Sequence, residues 1–162
     1  MSAPLPRDKR QRARDELRER LARNSFSHFI TLATNDPTVS TRRMRYLLKE
    51  WDARVNRFLV GPKWQKRPDE RLLWFAFLEK PEANPHWHLL AEIDPQLAEK
   101  PAAAARLEAF GLQVGNIWRS ICATGSADVA PYRDEGAIFY ATKAQTREDL
   151  LASFVSHLEF IR

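Results

Sequence analysis

The chain has 162 residues, of which 44% are hydrophobic and 29% charged, the length of one domain and the composition of an ordinary globular protein. Lys and Arg outnumber Asp and Glu by 26 to 21 for a net charge of +5 and a pI near 9.7, which is compatible with a polyanionic partner without requiring one. Its single cysteine, Cys122, excludes an intrachain disulfide and reads as a packed core residue; no stretch approaches the roughly 20 apolar residues of a membrane span, so a cytoplasmic protein without a membrane partner is expected.

Residues 1–24 are expected to form a charged helical arm. Between Arg7 and Arg23, Leu17 and Leu21 stand four apart among mixed charges, the pattern of a solvated helix, and the surplus of arginine makes the arm a candidate to contact a phosphate backbone. From Ser25 to Thr34 the chain is rich in aromatic, β-branched and hydroxyl residues, a strand closed by Asn35-Asp36-Pro37. Ser40 or Thr41 can cap a helix running to about Phe58, in which Met44, Leu47, Leu48, Trp51, Val55 and Phe58 recur at helical spacing. Gly61-Pro62 ends that unit. The apolar run Arg71 to Glu79 predicts a buried strand, Lys80 to Pro85 a connection, and His86 to Ile93 a second strand stopped by Asp94-Pro95.

An alanine-rich helix is expected from Pro101 to Ile121, weakened in its middle by Gly111 and Gly115. After Gly125 a strand reaches Tyr132, with Pro131 marking an edge or an end. Asp134 can cap a helix from Ala137 to Gln145, and Leu150 to Ile161 has the spacing of a last amphipathic helix within residues 147–162. The order from Phe26 to Tyr132 is β-α-β-β-α-β. It predicts an α+β domain over residues 25–146 of the split, ferredoxin-like kind, one antiparallel sheet with helices on one face and the other face free for a ligand.

His86 and His88 are one residue apart on a predicted strand, so both imidazoles face one side while Trp87 and Leu89 face the other. If the strands ending at Glu79 and starting at His86 pair as a hairpin, Glu79 joins them on that face. Two imidazoles and a carboxylate with open positions suit Lewis-acid chemistry on Mg²⁺ or Mn²⁺. A one-residue slip in register would turn Glu79 away, and Glu82 is then the substitute.

Three segments, in this order, resemble the motifs of HUH endonucleases of the rolling-circle replication initiator type. Phe29 to Asn35 (FITLATN) is similar to the first, a hydrophobic strand with a central threonine. Glu79 followed by HWHLL at His86 to Leu90 is similar to the second, a metal motif, although Trp87 is bulkier than the aliphatic residue often found there. Gly136 to Lys143 (GAIFYATK) is similar to the third, a Tyr-x-x-Lys on a helix. The resemblance implies that Tyr140 attacks a phosphodiester of single-stranded DNA, leaving a 5′-phosphotyrosine and a free 3′ hydroxyl. It implies that Glu79, His86 and His88 hold the metal, and that Lys143, one turn from Tyr140 on the same face, stabilises phenolate or phosphate charge. A phenol is almost wholly protonated at neutral pH, so such a cation or a proton acceptor is chemically needed.

On the same reading Thr31 is a candidate DNA contact on the neighbouring strand, and Arg42, Arg43, Arg45, Lys63, Lys66 and Arg67 are candidates to track phosphates. His28 is read as a surface or strand-edge residue and His157 as structural, neither as a ligand, and the tryptophans chiefly as core. The expected activity is nicking and joining at a plasmid, phage or mobile-element origin presented as single-stranded or hairpin DNA. No Gly-rich phosphate loop is present, so a helicase is expected from another protein. A single-tyrosine transposase or relaxase, and a catalytically inactive single-strand-binding module, are the alternatives.

Overall fold

The computed structural model describes residues 7–79, 83–143 and 154–161. Its strands are β1 (His28–Ala33), β2 (Leu73–Glu79), β3 (His86–Glu92), β4 (Ser126–Pro131) and β5 (Phe154–Ser156), and its helices are α1 (Arg7–Ala22), α2 (Thr41–Val60), α3 (Pro95–Ala98), α4 (Ala104–Glu108), α5 (Phe110–Ile121) and α6 (Gly136–Thr142). All five strands make one sheet in the order β4-β1-β3-β2-β5, every neighbouring pair antiparallel. The fold is α+β, and β4 takes an edge, where Pro131 is tolerated.

Strand alternation sorts the side chains onto two faces. Ile30, Leu32, Trp74, Ala76, Leu78, Trp87, Leu89 and Ala91 face α2 and α5 in the larger core. Helix α2 docks there through Met44, Leu47, Leu48, Trp51, Val55 and Leu59. It starts at Ser40, whose hydroxyl accepts from Arg43 N at 3.1 Å, a cap of the kind that contributes about 1 kcal/mol. It ends at Gly61, whose φ of 108° is open to glycine and few other residues.

Each of the four fully buried indoles finds an acceptor, as burial requires. Trp51 donates to Val114 O at 3.3 Å, Trp87 to Met44 O at 3.0 Å, Trp118 to Ala33 O at 2.8 Å and Trp74 to Asp52 Oδ1 at 2.8 Å. Asp52 is itself buried and paired with Arg71 at 2.8 Å. Asn56 bridges this pair to the sheet, donating to Asp52 and accepting from Leu72 N at 2.8 Å. The helix expected from Pro101 to Ile121 is divided: a 3-10 turn over Pro101–Ala103, then α4, then α5, which begins where Phe110 enters the core.

The second face is also covered in part. Phe77 and Leu90 pack with Leu21 of α1, Phe26, and Ile138 and Ala141 of α6. Helices therefore lie on both faces, and the expectation that they are confined to one is corrected. Arm and body also share a core, because Leu21, only 2% exposed, sits in the same cluster as α6.

The last helix expected from Leu150 to Ile161 is not a helix where the chain is described. Phe154–Ser156 pair with Phe75, Ala76 and Phe77 at the free edge of β2, and a 3-10 turn follows over His157–Phe160. The apolar residues Phe154 and Val155 serve strand pairing and stacking on Phe75, centroids 6.1 Å apart, rather than a helical stripe. Residues 144–153 lie outside the described part. Among the described residues no helix is long and apolar enough to cross a membrane.

Candidate metal centre

The pairing of β2 with β3 places Glu79 directly across from His86, and Phe77 across from His88. Glu79, His86 and His88 therefore share the face turned away from Trp87, and one ligand atom from each lies within 4.8 Å of the others. His88 Nε2 is 2.6 Å and His86 Nε2 3.4 Å from Glu79 Oε2, and the two Nε2 atoms are 3.2 Å apart. Three donors converging this closely, two nitrogens and one carboxylate oxygen, fit a divalent cation. Side-chain exposures of 11% for Glu79, 14% for His86 and 4% for His88 leave the acid and the first imidazole within reach of solvent. Glu82, the substitute ligand, lies outside the described residues.

The protonation states suit ligation. Burial pushes the Glu79 carboxyl up, but the hydrogen bond from His88 and the positive charges of His88, His86 and Lys143 outweigh it and hold the carboxyl below its usual range. Burial, then repulsion from His86, pushes His88 down against the pull of Glu79. Near neutral pH this favours an ionised acid beside a neutral imidazole, the forms that bind metal.

Helix α6 brings the remaining candidates to the same place. The Tyr140 ring stands nearly perpendicular to the His88 ring with centroids 5.2 Å apart, and 6.0 Å from Phe29. Tyr140 is 49% exposed, so an extended ligand can reach its hydroxyl. Lys143 Nζ lies 4.0 Å from the Tyr140 ring centroid, and its charge is felt at both Glu79 and His88. Asp134 Oδ1 accepts from Gly136 N at 2.8 Å and so closes the start of this helix.

Thr31 of β1 lies directly across from His88 of β3 and points at it, Oγ1 to Nδ1 3.2 Å. Phe29 stacks on the same ring at 5.5 Å. Neither Asn35 nor Asn84 was an obvious candidate in the sequence, yet Asn84 O is 2.8 Å from His86 Nδ1 and the two asparagines bond to each other. The only signal for them is the turn chemistry of Asn35-Asp36-Pro37, which points to a turn and not to a site.

The basic residues are elsewhere. The chain leaves β1 beside the start of β3, and α2 returns across the opposite face, carrying Arg42, Arg43 and Arg45 behind the sheet as seen from the triad. Arg45 pairs with Glu159 at 3.2 Å and Arg43 lies over Tyr46 at 4.8 Å. Lys63, Lys66 and Arg67 follow α2 at the far end of the sheet, with Arg67 3.6 Å from Glu70. His28 packs against Phe110 and His157 bonds to Trp74 O, both away from the triad. Cys122 is buried.

Comparison of the chain with models of protein families, with curated proteins and with solved structures gives no match.

Proposed function

We propose that this protein is a metal-dependent nicking and joining enzyme for single-stranded DNA, of the HUH replication-initiator type, with Tyr140 as nucleophile. One observation carries the reading: the triad Glu79, His86 and His88 stands beside an accessible tyrosine that a lysine accompanies. Structural histidines have no need of that company. The strand order β4-β1-β3-β2 supports a ferredoxin-like core extended by β5.

The substrate class is single-stranded or hairpin origin DNA of a plasmid, phage or mobile element, with strand separation left to a separate helicase. Glu79, His86 and His88 hold Mg²⁺ or Mn²⁺, which when bound supplies Lewis-acid polarisation of the scissile phosphate. Tyr140 Oη forms the new bond to phosphorus as the bond from phosphorus to the 3′ oxygen breaks. The phenolic proton passes to solvent, and the departing oxygen takes one up as a free 3′ hydroxyl. The DNA 5′ end stays on Tyr140 as a phosphodiester, so the bond energy is kept for rejoining. Lys143 stabilises the phenolate as the proton leaves.

The test is incubation with a pool of origin-type single-stranded oligonucleotides and Mn²⁺. An adduct that survives denaturation and is lost with chelator is expected. Binding of single strands with no adduct on any of them would instead identify a binding module.

A further inference from the structure

A histidine that holds a metal through Nε2 carries its proton on Nδ1, and the acceptor of that proton fixes ring and tautomer. The two histidines of the triad have unlike partners. His86 Nδ1 faces Asn84 O at 2.8 Å. A carbonyl only accepts, so Nδ1 is the donor and Nε2 already bears a lone pair. The residue that carries this carbonyl is pinned in turn through its side chain. Asn35 N donates to Asn84 Oδ1 at 3.0 Å, and Asn35 Nδ2 donates to Thr124 O and Ser126 Oγ at 3.0 Å each. Asn35 does this at φ 55°, a left-handed conformation that asparagine tolerates better than most residues.

His88 is the opposite case. Its Nε2 faces two acceptors, Glu79 Oε2 at 2.6 Å and His86 Nε2 at 3.2 Å, so in the metal-free neutral ring the proton sits on Nε2. Nδ1 must then accept, and the group facing it is the Thr31 hydroxyl at 3.2 Å. A hydroxyl can donate or accept; neither a carbonyl nor a carboxylate has that freedom.

We propose that Thr31 is the positioning residue of the metal centre, serving His88 in both tautomers. It donates to Nδ1 while Nε2–H faces Glu79, and it accepts from Nδ1–H once Nε2 turns its lone pair to a divalent cation. One proton leaves Nε2 for water and one is taken from water at Nδ1, so the exchange is neutral overall. His86 is the preset ligand, held by the Asn35–Asn84 pair; His88 is the convertible one. This rests on the metal centre of the proposed function but on no step of the DNA chemistry.

Thr31→Val keeps the side-chain shape and neither donates nor accepts. Its dissociation constant for Mn²⁺, read from the paramagnetic resonance of free ion, should rise roughly 10- to 100-fold, and Thr31→Ser should restore tight binding. Asn35→Gly keeps the left-handed backbone and its N–H to Asn84 Oδ1, removes the side-chain bonds to Thr124, Ser126 and Asn84 Nδ2, and should also weaken binding. Long-range ¹H–¹⁵N spectra of the wild type decide the tautomers even if a variant does not fold. Without metal, His86 should be protonated at Nδ1 and His88 at Nε2; with diamagnetic Zn²⁺ both should be protonated at Nδ1. A folded Thr31→Val protein with wild-type Mn²⁺ affinity overturns the proposal, as does metal-free His88 already protonated at Nδ1. A wild type that binds Mn²⁺ but never nicks single strands ends the enzyme reading and leaves this one standing; one blind to Mn²⁺ ends both.

Discussion

Trp87 does as much to fix the candidate metal centre as the histidines on either side of it. It is fully buried and donates to Met44 O, so β3 cannot slip by one residue without expelling it, a change that would cost about 3–5 kcal/mol on the scale of large core truncations. His86 and His88 are thereby held on the outer side together. This was legible in the sequence, since period-two alternation needs no knowledge of the rest of the fold. The pairing of Glu79 with His86 was an assumption about a hairpin, and the register supports it. The contact of Thr31 with His88 was not legible, because no pattern along one strand tells which neighbouring strand its hydroxyl faces. At this scale His86→Ala and His88→Ala should each remove most Mn²⁺-dependent nicking while leaving the fold intact, as circular dichroism would report. Lys143→Ala should slow adduct formation without ending it, because its ammonium stabilises charge and forms no bond to DNA. Full activity in either histidine variant, or in the presence of chelator, would contradict metal participation.

Helix α6 carries the proposed nucleophile, Tyr140, and α1 holds α6 in place. Arg18 Nε donates to Thr142 Oγ1 at 3.0 Å, and the Arg18 guanidinium lies 4.2 Å over the Phe139 ring. Behind them Leu21 is buried against Ile138 and Ala141, a contact of the size that contributes about 1.5–3 kcal/mol. The candidate metal ligands, by contrast, all belong to the sheet. Arg18→Ala should therefore slow adduct formation several-fold, by the roughly 1 kcal/mol of one such contact, with Mn²⁺ affinity unchanged. A parallel loss of Mn²⁺ affinity would show that the two halves of the site are not separately supported. The charge pattern of the arm predicted a solvated helix, correctly as to helix, but its few leucines did not disclose their partner. The last segment failed for a related reason. Phe154 and Val155 fit a helical period, but the open edge of β2 offers backbone hydrogen bonds that a surface helix lacks.

The molecule as a whole has one sheet between two apolar layers, and the larger layer contains a buried charge pair. Asp52 meets Arg71 beneath Trp74; Arg71→Ala would leave a carboxylate buried without its partner and should cost about 3–5 kcal/mol in urea denaturation. A loss below 1 kcal/mol would mean that water reaches the pair. Burial also pushes His28, His88 and His157 below the ordinary histidine value. The unfolded chain then binds protons at these sites before the folded one does, so their contribution is complete above about pH 6.5 and is lost as pH falls toward the lowered values. Urea midpoints should fall between pH 7.5 and 5.5, and equal midpoints would contradict the placement of these rings. The β-α-β-β-α-β order was readable from periodicity and turn residues. The second layer was not, because it depends on contacts between the two ends of the chain.

The proposed chemistry turns on one oxygen atom, Tyr140 Oη. Wild-type protein and Tyr140→Phe should be incubated with the same single-stranded oligonucleotides and Mn²⁺, denatured, digested and analysed by mass spectrometry. The wild type should carry a nucleotide on the peptide containing Tyr140, and Tyr140→Phe should form no adduct yet still bind single strands, because phosphate contacts and stacking do not need that hydroxyl. Attachment at Tyr132 or Tyr46, or an undiminished adduct in Tyr140→Phe, would contradict that chemistry.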